Sequence, residues 1–194
     1  MRHSIDTQQL LLRSTLTAIL RAARKDSLSV VKYLIESGVN INSKDDNEGR
    51  TALHIAVSKK NILLVKYLIE SGAEMNSADY SGRTALYIAA DKGHLPVLEY
   101  LLQQGADPNR KTRWGGTALT VASLCDKWRV MQVLLEMGAD VNADSGKALA
   151  ETIEAGKWSL VKCFIDKGAL VHKSQIYGNL SEMKKNFPKY QFKE

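Results

Sequence analysis

Six side chains carry the obvious chemistry in this sequence: four histidines and two cysteines. Nucleophilic catalysis needs a nucleophile within reach of a base, and a metal site needs several ligands brought to one point. Cys125 has no histidine near it in sequence, and Cys163 follows 38 positions later without metal-ligand spacing. His3 and His172 are isolated toward the two ends, and His54 and His94 stand in separate segments. No GxxxxGK[ST] and no GxGxxG phosphate-binding motif occurs. Gly115-Gly116-Thr117 precedes a helix whose first N–H groups could hold an anion, but every helix pair opens in a similar way. These residues predict no enzyme activity, no cofactor and no metal.

Binding is the remaining chemistry. The chain carries a formal charge of +6, mildly basic, which suits an acidic partner without demanding one. Nucleic acid is the weaker expectation, because no dense Lys/Arg stripe is present. Leu10-Leu11-Leu12 is interrupted at Arg13, too short for a signal-peptide core, and no apolar run reaches the length of a membrane span. Two thiols in 194 residues suggest a reducing compartment. A soluble, monomeric, cytoplasmic protein is expected.

The elements that position these residues repeat. Thr17, Thr51, Thr84 and Thr117 are 34, 33 and 33 apart, and Gly38, Gly72, Gly105 and Gly138 keep the same intervals. The best-formed copy runs from Gly82 to Asn109. Thr84 can cap a first helix over Ala85–Lys92, and Gly93-His94 breaks the chain. Leu95, Val97, Leu98, Leu101 and Leu102 then follow helical spacing, and Gly105 ends the second helix. A fifth copy is shortened: Gly168 follows Gly138 by 30, and the missing residues fall around Ala143–Gly146, predicting a stunted hairpin. One such helix pair cannot bury both faces alone, so the copies must stack.

The period of 33, the Thr51-Ala52-Leu53-His54-Ile55-Ala56 core, Gly93-His94 and the Gly105-Ala106-Asp107-Pro108-Asn109 ending resemble the ankyrin repeat. The resemblance implies an all-α solenoid of about five stacked helix pairs with short hairpin loops and atypical capping ends. The repeats are expected at about 15–46, 47–79, 80–112, 113–143 and 144–172. A capping helix over 7–13 completes residues 1–172, and a degenerate capping segment follows at 173–194. Asp26, Asn61 and Asp126 stand where the family usually has a mid-repeat glycine, and alanine replaces the proline usual after threonine. The resemblance assigns His54 and His94 to hydrogen bonding at loops and helix ends.

Partners of such arrays usually bind a concave face built from hairpin tips and first helices. That role carries over to Arg24, Lys25, Arg50, Lys59, Tyr80, Ser81, Arg83, Asp91, Lys92, Arg113, Trp114 and Leu124. Most of these are basic, whereas second-helix positions such as Glu36, Glu70, Glu99 and Glu136 lean acidic. The expected function is non-catalytic binding of a protein or acidic peptide, with Tyr80 and Trp114 as aromatic anchors. Nucleic-acid binding through the basic groove, or action on host proteins after export into a host-cell cytosol, are the alternatives. Trp128 and Trp158 begin second helices and are expected at the core edge.

Overall fold

A computed structural model describes residues 17–171 and 178–188. The helix expected over 7–13 lies outside these residues. The chain divides into two compact units, residues 1–89 and 90–194, with the boundary inside one helix. Eleven helical segments and no strand occur among the described residues.

The first unit holds α1 (17–24), α2 (Leu28–Glu36), α3 (Ala52–Ser58), α4 (Ile62–Glu70) and the start of α5 (Ala85–Lys92). The second holds the end of α5, then α6 (Leu95–Gln103), α7 (Ala118–Leu124), α8 (Trp128–Glu136), α9 (Ala143–Glu154), α10 (Trp158–Asp166) and α11 (Leu180–Asn186). None exceeds 12 residues among the described residues, and helices this short are marginal in isolation. Tertiary burial must hold them. In the first helix of a pair burial is nearly complete: every residue from Ala52 to Val57 is buried in α3, and every residue from Ala118 to Ser123 in α7. Alanines at Ala52, Ala56, Ala118 and Ala122 keep these helices slim enough to be packed on all sides. Second helices bury one stripe, as Leu64, Val65 and Leu68 do in α4 and Val130, Met131, Leu134 and Leu135 in α8. Each such side chain contributes about 1.5–3 kcal/mol of apolar burial. In the second unit α6 packs on α8 and α8 on α10, while α7 packs on α9.

The caps follow the repeat. Thr51 and Thr117 open α3 and α7 with capping boxes, and their partners are the residues three places on, His54 and Thr120. Second helices end in a left-handed glycine. At Gly38 (φ 82°), the glycine N–H reaches the Ile35 carbonyl and the Val39 N–H reaches Leu34, closing both ends of a Schellman turn. Nothing would crowd a Cβ there, so conformation and not space selects glycine.

The break between the two helices of a pair is also left-handed. It falls at Asp26, Lys60, Gly93, Asp126 and Gly156. This corrects the expectation for the second copy, where Lys60 (φ 60°) takes the glycine-type conformation and not Asn61. Asn61 occupies the next place, equivalent to His94, and caps α4 by accepting the Leu64 N–H at 2.9 Å. In the fifth copy, Asp144, Ser145 and Gly146 turn through three successive left-handed residues in place of a full hairpin. Near the end, Met183 is buried on α11, and the helix stops before Phe187-Pro188.

A lysine in the left-handed region carries a Cβ penalty that glycine escapes. Lys60→Gly is therefore expected to stabilise the chain by about 1 kcal/mol. Urea denaturation measures this as a higher midpoint with an unchanged slope.

Candidate functional site

The hairpins of the first unit are organised by two buried aspartates, each at the base of a loop. Asp45 Oδ1 accepts the backbone N–H of Glu48 at 2.8 Å and of Arg50 at 3.4 Å. Its Oδ2 accepts from Arg24 Nη2 at 2.8 Å. Asp79, 34 positions on, repeats the design: Oδ1 accepts from the N–H groups of Ser81 and Arg83, each at 2.9 Å, and Oδ2 from Arg83 Nε at 2.8 Å. Burial alone would raise the Asp45 carboxyl, but the N–H groups of Glu48 and Arg50 and the charge of Arg24 outweigh it and hold the group below its ordinary value. In the second unit Thr112 takes the equivalent place, buried, with backbone bonds across its turn to Gly115 and Gly116.

Four of the predicted basic residues are thus engaged with acids. Arg24 pairs with Asp45, Lys59 Nζ lies 3.5 Å from Asp26, and Arg50 and Arg83 meet at Glu48. Arg50 Nε is 2.5 Å from Glu48 Oε2, and Arg83 Nη2 is 3.8 Å from the same oxygen. A cavity of about 270 Å³ opens beside them, lined in part by Arg24, Asn47, Arg50, Ser58 and Lys59. Tyr80 donates its backbone N–H to the Glu48 carbonyl at 2.8 Å, and its ring lies against Gly49, where a Cβ would stand 2.5 Å from the ring. Tyr80 therefore packs one hairpin onto the next while remaining 48% exposed. Ser81 is half-buried in the same turn, and Lys25 is exposed at the end of α1.

His54 is fully committed to structure. Its Nδ1 accepts the Thr51 backbone N–H at 3.1 Å, which places the proton on Nε2, and Nε2 donates to the Arg83 carbonyl at 3.1 Å. The neutral ring thus ties the start of α3 to the following hairpin. Loop asparagines make similar ties. Asn42 accepts from the Glu74 N–H, Asn109 from Asp140, and Asn142 from Leu170, at 2.7–2.9 Å.

In the second unit the predicted residues are less connected. Asp91 accepts from Cys125 Sγ at 3.5 Å, while Lys92, Arg113 and Leu124 are exposed. Trp114 is 75% exposed at its hairpin tip. Burial, and then the Asp91 carboxylate, push the Cys125 thiol up, so it stays protonated and is a poor nucleophile. Trp128 and Trp158 are half-buried at the starts of α8 and α10, with Lys157 Nζ 5.2 Å from the Trp128 ring centre. On the second helices of the first unit, Lys32 lies 5.1 Å over the Tyr67 ring on the next copy.

Sequence reasoning missed Asp45, Asp79 and the linking role of Glu48. The two aspartates share the repeat interval, which was the available signal. The arrangement offers charged, paired groups and exposed aromatics for recognition, and no group of three or more metal-binding side chains occurs among the described residues.

Burial lowers the His54 pKa, so folding favours the neutral ring. Protonation would charge a buried group and remove the lone pair that accepts from Thr51. The unfolded chain binds that proton more tightly, so the contribution of His54 is complete above about pH 6.5 and is lost as pH falls through the depressed folded value. His54→Ala should cost about 2 kcal/mol at pH 7.5 by leaving buried polar groups unpaired. Denaturation midpoints between pH 7 and 5 should fall less steeply for that variant than for the wild type.

A family model described as ankyrin repeats (three copies) matches residues 2–79, 19–112 and 76–145. Helix α10 lies beyond the matched spans yet keeps the build of α8. No protein with a curated description matches the chain. The buried Thr–His capping box, the paired short helices and these matches agree, and the chain belongs to the ankyrin-repeat family.

Proposed function

We propose that this chain is a non-catalytic protein-interaction module whose hairpin tips and first-helix ends bind an acidic protein or peptide. Ankyrin repeats are generally protein–protein interaction modules and typically non-enzymatic. The observation that carries the reading here is Trp114: a tryptophan three-quarters exposed on a hairpin, where core packing does not require it. Tyr80 adds a second, half-exposed aromatic in the first unit. His54 and the Cys125 thiol, the groups with most catalytic potential, are a structural tie and a protonated thiol, which supports a role without chemistry.

The charge argument changes in weight. Because Arg24, Arg50, Lys59 and Arg83 are paired, the positive potential rests chiefly on Lys25, Lys92 and Arg113, for which no acidic partner occurs among the described residues. No helix among the described residues is long and apolar enough to cross a membrane. Cys125 and Cys163 are free thiols, which supports our placing the module in a reducing compartment such as a cytosol.

Affinity capture from cytosol tests the reading. Trp114→Ala and the triple reversal of Lys25, Lys92 and Arg113 to Glu should each lose most of the bound partner, while a reversal of Lys162 on α10 should not. Equal recovery by all variants would exclude the hairpins as the binding surface.

A further inference from the structure

Arg50 and Arg83 precede the capping threonines of two adjacent copies. The equivalent places before Thr117 and Lys147 are Gly116 and Gly146, so the repeat does not need arginine there. The two arginines converge on one carboxylate oxygen, Glu48 Oε2, at 2.5 and 3.8 Å. Two acids serve them differently. Asp79, whose side chain is wholly buried, holds Arg83 Nε at 2.8 Å and lies 4.0 Å from Arg50 Nε, so it is a fixed part of the site. The Glu48 side chain is half exposed at the hairpin tip. Its backbone is pinned by its own N–H to Asp45 and by its carbonyl to Tyr80, so only the side chain has to swing for the place to open.

We propose that Arg50 and Arg83 form a two-guanidinium site for a carboxylate of an acidic peptide, and that Glu48 fills it in the unbound chain. Glu48 is the chain's own stand-in ligand, and its carboxylate shows what chemistry the place accepts. Planar guanidinium forks match carboxylates, and buried Asp79 balances only one of the two charges. The adjoining cavity, lined by Arg24, Asn47, Ser58 and Lys59 together with Asp45 and Glu48, gives the flanking peptide polar contacts, and the Tyr80 ring packs on Gly49 of the same turn. An arriving carboxylate must displace Glu48, so the side chain acts as a competitive gate that rejects a lone carboxylate and admits a partner with several acidic residues. This inference rests on the acidic-partner reading above and names the place on the first unit where that partner is gripped.

The test uses the full chain and a hexaglutamate peptide in titration calorimetry at low salt. Glu48→Gln removes the competitor while keeping the shape. It should bind the peptide about three- to fivefold more tightly than the wild type, the scale of one exposed ion pair. Arg50→Lys keeps the charge but loses the fork, and Arg50 Nε, buried beside Glu48, is held there as an ion pair and not by a hydrogen bond. That variant should bind about tenfold more weakly, with melting behaviour like the wild type. If hexaglutamate binds wild type, Glu48→Gln and Arg50→Lys alike, the two-arginine site is overturned and the acidic-partner reading stands. If none of the three takes the peptide, both are overturned.

Discussion

No helix pair in this chain can stand alone, and that constraint governs everything else. Segments of seven to nine residues, with first helices buried on every side, gain their stability only from the copies before and after. The polar groups at their ends must be satisfied by neighbours too. That is why His54 reaches from Thr51 to the Arg83 carbonyl, and why Asn42, Asn109 and Asn142 each accept an N–H from the following loop. These ties run from copy to copy, so local order in one hairpin depends on the next.

The hairpins of the first unit show how the same economy limits function. Asp45 and Asp79 fold their loops by accepting backbone N–H groups, and in doing so they take arginines that would otherwise face solvent. Charge on this surface is therefore mostly internal bonding. What remains for a partner is the exchangeable part: the exposed Glu48, the two arginines it meets, and the half-exposed Tyr80 ring. Specificity built this way comes from displacement of an internal acid more than from a bare positive field.

Much of this architecture could be read in the sequence because the period of 33 carries it. A capping threonine, an apolar stripe and a terminal glycine recur at fixed offsets, and each has one physical meaning, so the helices fall where the offsets put them. The loss of residues around Ala143–Gly146 likewise read directly as a shortened hairpin. Lys60 was harder. A lysine gives no hint that its backbone is left-handed, and the neighbouring Asn61 looked the better substitute for glycine until it proved to be a cap. The site was less readable still. Position in a repeat says that Arg50 and Arg83 lie at hairpin ends, but not that buried Asp79 and exposed Glu48 hold them, because those pairings depend on how successive loops approach. Tyr80 shows the same limit: only the packing of its ring on Gly49 reveals that an exposed aromatic also joins two hairpins.

The most direct measurement of where recognition occurs is an amide chemical-shift titration of the isotope-labelled chain with hexaglutamate. The account predicts the largest changes at Glu48, Arg50, Tyr80 and Arg83, with α2 and α4 little affected. Changes confined to the outward faces of α2 and α4, with the hairpin amides unmoved, would contradict it.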